Sequence, residues 1–147
     1  MVVAVEEEDD LNYYINIVFR KIVKRMLESN ANKSILGEEC TILEADDGST
    51  ALDLMRSETE GGRAVDFVLM DYVMIRMNGP EAVQRMRSDL GYKGVAIGIT
   101  GNALPEDMDN FRSHGADVVL TKPLTNARLM EAMTMTRGGF NQIMDMV

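Results

Sequence analysis

Five times along the chain a short apolar run gives way to an amphipathic stretch. The runs are residues 2–5 (VVAV), 40–45 (CTILEA), 65–70 (VDFVLM), 95–99 (VAIGI) and 118–120 (VVL). After the first, Ile15, Phe19, Ile22 and Met26 recur at helical spacing, with Lys21, Lys24 and Arg25 off that stripe. After the second, Ala51, Leu52 and Met55 share one helical face. Strand–helix alternation of this kind predicts an α/β fold with a parallel sheet and helices on both faces. Right-handed crossovers leave few topologies open to it. The nearly continuous apolar run VDFVLM predicts a strand buried on both faces.

Local signals punctuate the pattern. Pro80 stands at the start of one helix, which runs to about Asp89. Pro105 lies in the first turn of the next, spanning residues 104–114, and Gly115 stands just past its end. The last helix covers residues 124–136. Residues 29–33 and 58–64 read as surface loops, and Gly48 as a turn. The chain of 147 residues is long enough for one domain with its own core.

Charge and cysteine usage narrow the function. A net charge of −9 repels phosphate backbones and anionic lipid surfaces, so neither nucleic acid nor membrane is an expected partner. No apolar run approaches the roughly 18 residues of a membrane span. Cys40 is the only cysteine, which rules out an intramolecular disulfide and suits a reducing, cytoplasmic setting. The N-terminal residues carry no basic leader and no long apolar core, so no signal peptide is expected. The 13 methionines read chiefly as soft core filling.

In open parallel sheets the ligand site lies outside the carboxyl ends of the strands. The residues after each apolar run are therefore the ones to inspect: Glu6, Glu7, Glu8, Asp9 and Asp10; Asp46 and Asp47; Asp71; Thr100; and Thr121, Lys122 and Pro123. Asp71, Thr100 and Lys122 would bring a carboxylate, a hydroxyl and an ammonium to one rim. With the acidic run they make a phosphoryl site. The acids would hold a hard divalent cation through oxygen. Asp71 would attack phosphorus, and Thr100 and Lys122 would meet the charge on the phosphoryl oxygens. A lone aspartate at a strand end is usually a helix cap or turn residue, and Asp46 and Asp47 are read as a turn and a helix start. His114, the only histidine, is read as a solvent-side residue at a helix end.

The segments VLMDYVMIRMNGPEAVQRMR and GITGNALPEDMDNFRSHGADVVLTKPL resemble the receiver domain of two-component response regulators, most closely the receivers of hybrid histidine kinases. The spacing matches too, with Thr100 29 and Lys122 51 residues after Asp71. The resemblance runs from about Thr41 to Met133. It implies a flavodoxin-like doubly wound (βα)5 fold, with a five-stranded parallel sheet of order 2-1-3-4-5. The receiver would cover residues 1–137, followed by a tail, 138–147. The resemblance further implies that Asp71 is the phosphoacceptor, Thr100 the switch hydroxyl and Lys122 the cation that pairs with the phosphoryl group. Pro123 would follow a cis peptide bond, and Gly79 takes the family's glycine position. The implied cofactor is Mg2+, held by Asp71, the backbone carbonyl of Val73 and two acids after the first strand. Glu7 and Glu8 are one choice and Glu6 and Glu7 another, so the sequence leaves their register open.

The implied partner is a histidine kinase or a histidine phosphotransfer protein. A homodimer, if one forms, would use the face of helix 4, strand 5 and helix 5. The chain would be no enzyme beyond slow loss of its own phosphoryl group. Two positions depart from the family pattern. Ile75 replaces a proline four residues after the phosphoacceptor, and Val119 replaces the aromatic residue three before the lysine. These departures motivate the alternative of a degenerate receiver that binds a partner without being phosphorylated. A small metal-dependent phosphatase is disfavoured, because Val73 stands where its general acid would be.

Overall fold

A computed structural model describes residues 2–5, 23–29, 41–74 and 76–134. Its strands are β1 (Val2–Val5), β2 (Ile42–Ala45), β3 (Phe67–Asp71), β4 (Val95–Thr100) and β5 (Val118–Thr121). They pair in parallel in the order β2-β1-β3-β4-β5. Helical residues 23–28 form α1. The later helices are α2 (Gly48–Glu60), α3 (Gly79–Asp89), α4 (Pro105–Ser113) and α5 (Asn126–Thr134).

The period-2 alternation of strand side chains sorts the core into two layers. Phe67 and Leu69 of β3, with Ile97 and Ile99 of β4, pack against Val23 and Leu27 of α1 and Leu129, Met130 and Met133 of α5. Val68 and Met70 of β3, with Ala96 of β4, pack against Met55 of α2, Val83 and Met86 of α3 and Phe111 of α4. Every residue of β3 is buried, as its unbroken apolar run predicts. Full burial of each large side chain contributes roughly 1.5–3 kcal/mol. Several methionines fill the two layers, Met55, Met70, Met86 and Met133 among them. Gly98 makes the α4 contact possible, since a Cβ there would sit 2.6 Å from the Phe111 ring.

The boundaries differ from the sequence reading in instructive places. Gly48 opens α2 rather than marking a separate turn, because Asp47 caps that helix by accepting from the Thr50 amide at 2.9 Å. The same helix runs through residues 58–60, expected as loop, and buries Glu58, whose carboxylate pairs with Arg63. In α1 the fully buried side chains are Val23 and Leu27, while Met26 is only partly buried. The rest of that expected stripe, Ile15, Phe19 and Ile22, lies outside the described residues, as do Cys40 and the tail 138–147. Among the described residues, no helix is long and apolar enough to cross a membrane.

Candidate functional site

Three parallel strands end side by side. The register pairs Asp71 with Ile99 and Thr100 with Thr121, so the ends of β3, β4 and β5 form one rim. Asp71 is the last residue of β3 and is only 6% exposed. A carboxylate that buried needs a partner, and it has one: Lys122 Nζ donates to its Oδ2 at 2.9 Å. Lys122 follows β5 directly, and its backbone N–H donates to the Thr100 carbonyl at 2.8 Å. One residue thereby links the ends of β3 and β4. The Lys122–Pro123 peptide is cis, as the resemblance implied.

Thr100 is 2% exposed. Its hydroxyl is held within its own loop: Oγ1 donates to the Asn102 carbonyl and accepts from the Asn102 amide, each at 3.1 Å. Both bonds are local, to a residue two positions on. Val119, at the position the family fills with an aromatic ring, is a buried β5 side chain in the layer under α2, α3 and α4.

The residues on either side of the loop after Asp71 are bonded to one another. The Tyr72 amide donates to the Ile99 carbonyl, and the Tyr72 carbonyl accepts from the Gly79 amide, each at 2.8 Å. This closure brings Gly79 against the Asp71 backbone, where a Cβ would lie 2.1 Å from the Asp71 carbonyl oxygen. Glycine at this position is thus a steric necessity. Asn78 then caps α3 by accepting from the Glu81 amide at 2.9 Å. The Tyr72 ring meets Phe111 edge-on at 5.5 Å, and its hydroxyl accepts from Asn110 Nδ2 at 2.8 Å. The residue beside Asp71 is in this way bonded to α4.

Arg76, in the same loop, forms an ion pair with the buried carboxylate of Asp47. Burial pushes that carboxyl up, but the Thr50 amide and the Arg76 guanidinium outweigh burial and hold it below its ordinary 3.8. The sequence pointed to a helix start at Asp46 and Asp47, and it had no signal for the Arg76 pairing, which only the contact of Arg76 with the start of α2 creates. The Tyr72–Asn110 bond and the Gly98 cradle likewise carried no sequence signal.

Val73 is 67% exposed and Leu104 51%, and these are the exposed large apolar side chains of the described residues. Both sit on loops at the rim, after β3 and after β4. Glu7 and Glu8, with the rest of residues 6–10, lie outside the described residues, as does Ile75. Among the described residues no cluster of three or more His, Cys, Asp or Glu could hold a metal. The donors present, the Asp71 carboxylate and the Val73 carbonyl, are hard oxygens of the kind Mg2+ takes. His114 closes α4, where Nδ1 lies 2.7 Å from the Asn110 carbonyl and therefore donates to it.

A family model described as response regulator receiver domain matches residues 17–134. The chain is 32% identical over 107 residues to the two-component response regulator ORR41 of Oryza sativa subsp. japonica, covering 73% of this chain and 80% of that one. It is 31% identical over 132 residues to the sensor histidine kinase RcsC of Escherichia coli, covering 90% of this chain but only 13% of the kinase. The receiver domain of the Pseudomonas aeruginosa sensor histidine kinase PA1611, solved with a magnesium ion in the active-site cleft, matches with a TM-score of 0.65 at 21% identity, over 93% of this chain and 97% of that one. The Saccharomyces cerevisiae complex of the histidine phosphotransfer protein Ypd1 with the receiver domain of Ssk1 matches with a TM-score of 0.69 at 19% identity, over 92% and 86%. By its motifs, its sheet and the span of that family match, the chain belongs to the response regulator receiver domain family.

Proposed function

We propose that the chain accepts a phosphoryl group on Asp71 from a phosphohistidine of a histidine kinase or a histidine phosphotransfer protein. The observation that carries this is the buried Asp71 carboxylate held by Lys122 at 2.9 Å, with the Thr100 hydroxyl on the neighbouring strand end. An Asp71 carboxylate oxygen attacks phosphorus. The new bond is P–O, the bond broken is P–N, and its electron pair leaves on the donor's imidazole nitrogen. The product is an acyl phosphate, in which the single negative charge of the carboxylate gives way to about two on the phosphoryl group, a net gain of about one.

The chain's own residues prepare for that charge. Lys122 already sits at Oδ2 and stays with the phosphoryl oxygens. Thr100 gives up its two bonds to Asn102 and donates to a phosphoryl oxygen instead. Asp71, the Val73 carbonyl and two acids of residues 6–10, Glu7 and Glu8 in one register, would hold Mg2+. When bound, Mg2+ supplies charge neutralisation between the attacking carboxylate and the phosphoryl oxygens. The exposed Val73 and Leu104 side chains give an incoming partner apolar contacts beside Asp71. In this reading the domain works in the cytoplasm as a signalling module. It is no enzyme beyond slow loss of its own phosphoryl group.

Relatives of both architectures, a rice regulator of similar length and a kinase many times longer, fit this role. Intact mass after incubation with phosphoramidate and Mg2+ tests it. One phosphoryl group should add to the wild-type chain, and none to Asp71→Asn or in EDTA. Folded protein that takes up no phosphoryl group would overturn this reading and favour the phosphorylation-independent interaction module instead.

A further inference from the structure

We infer that the Arg76–Asp47 ion pair positions the Val73 carbonyl for its divalent cation, taking over the stiffening role of the proline that Ile75 replaces. The inference rests on the phosphoacceptor reading above. It starts from the shape of the loop. Tyr72 and Gly79 are bonded to each other through the backbone, so the loop between them has clamped ends. Three side chains of the loop turn onto the N-terminus of α2. A Cβ added to Gly48 would come 3.3 Å from Met74 Cε and 3.3 Å from Met77 Cβ, which puts both methionines against the first residue of that helix. Arg76 pairs with Asp47, the cap of the same helix. The methionine contacts are apolar and slide at little cost, since methionine is the most adaptable core side chain. The ion pair is directional and fixes the loop along the helix end.

Asp47 is suited to this work. It is 5% exposed, and its Oδ1 is already committed to the Thr50 amide, so the carboxylate is immobile before Arg76 arrives. Its other oxygen, Oδ2, takes the guanidinium. Most exposed ion pairs contribute little because two mobile chains must be ordered. Here one partner is ordered by the helix it caps. Between the clamp at Tyr72 and the contact at Met74 only Val73 projects freely to solvent. Its carbonyl is the atom whose direction the tether governs. Mg2+ demands near-ideal octahedral geometry, so small errors in one ligand weaken binding.

Two substitutions separate the tether from the fold. Asp47→Asn keeps the cap, because Asn caps helices as well as Asp does. Arg76→Gln leaves the cap untouched. Each is expected to weaken Mg2+ binding about tenfold, the lower end of what losing a supporting partner of a metal ligand costs. Both should stay folded at the titration temperature with only a modest fall in Tm, and adding Ile75→Pro to Arg76→Gln should restore binding. Mg2+ titration by intrinsic tyrosine fluorescence or by calorimetry reads the affinity, and phosphoramidate uptake reads the consequence. Wild-type Mg2+ affinity in both variants would overturn the inference. So would a loss of affinity that follows a loss of Tm and is not rescued by Ile75→Pro. A wild-type chain that binds no Mg2+ and takes no phosphoryl group would overturn the phosphoacceptor reading itself, a result distinct from either.

Discussion

The two ends of the sheet are held by opposite strategies. At the amino ends of β4 and β5, one guanidinium satisfies everything near it. Arg87 Nη1 donates to the carbonyls of Tyr92 (3.1 Å) and Gly94 (2.6 Å). Its Nε and Nη2 donate to the Gly115 carbonyl, and Nη2 also reaches Asp117 Oδ2 at 2.9 Å. All five N–H donors that arginine owns are thus in use, and the group also stacks 5.0 Å over the Tyr92 ring. Asp117 Oδ2 in turn accepts from the Ala96 amide at 2.8 Å, which ties the start of β4 to the start of β5. At the carboxyl ends, Thr100 bonds only its own loop through its hydroxyl, and Asp71 is held by a lysine whose ammonium can follow a new anion. A saturated end resists change. An end with local, exchangeable bonds can be rearranged by one added charge.

Substitutions can break that contrast, and the largest effect belongs to the saturated end. Arg87→Met should destabilise the fold by about 3 kcal/mol, since three carbonyls in part-buried hydrogen bonds and the Asp117 carboxylate lose a charged partner. Chemical denaturation reads the loss, and phosphoryl uptake at Asp71 should stay at the wild-type rate in folded protein. A comparable loss of uptake would show that the two ends are coupled. Next comes Gly79→Ala, whose Cβ would lie 2.1 Å from the Asp71 carbonyl. It should cost about 2 kcal/mol through overpacking. Unlike the arginine variant, it should slow phosphoryl uptake, because the displaced atoms belong to the acceptor residue.

The smallest effect is a pH dependence. The Asp47 carboxyl is held below its ordinary 3.8 in the fold. Its contribution is therefore present at neutral pH, begins to fade as the pH falls towards the ordinary value, and is lost through the depressed one. Asp47→Asn should lower the neutral plateau slightly, because the ionised carboxylate no longer contributes, and flatten the acid limb of the stability profile below about pH 4. An acid limb identical to wild type would mean that other carboxylates set it.

How much of this was legible in the chain varies from residue to residue. Phe67 to Met70 announced a strand buried on both faces, because an unbroken apolar run has no solvent side. Asp71, Thr100 and Lys122 were recognisable as a set because parallel strands end on one rim, so residues just after separate apolar runs must meet. Gly115, with a φ of 114°, was readable as a helix stop because few other residues tolerate that backbone. Helix α2 was read too short, since Glu58 looks like a surface residue until Arg63 folds back to neutralise it.

Local chemistry and periodicity by themselves determined the class of fold and the rim on which Asp71, Thr100 and Lys122 meet. Those are properties of spacing, and spacing is written in the chain. The tertiary structure alone decided that Arg76 reaches Asp47, that Tyr72 bonds Asn110 and lies against Phe111, and that Gly98 yields its space to that ring. It also decided that one arginine closes the far end of the sheet. Each of these contacts joins residues from different elements. Their partners are chosen by how helices settle on the sheet, a matter of packing volume and direction that no single segment encodes.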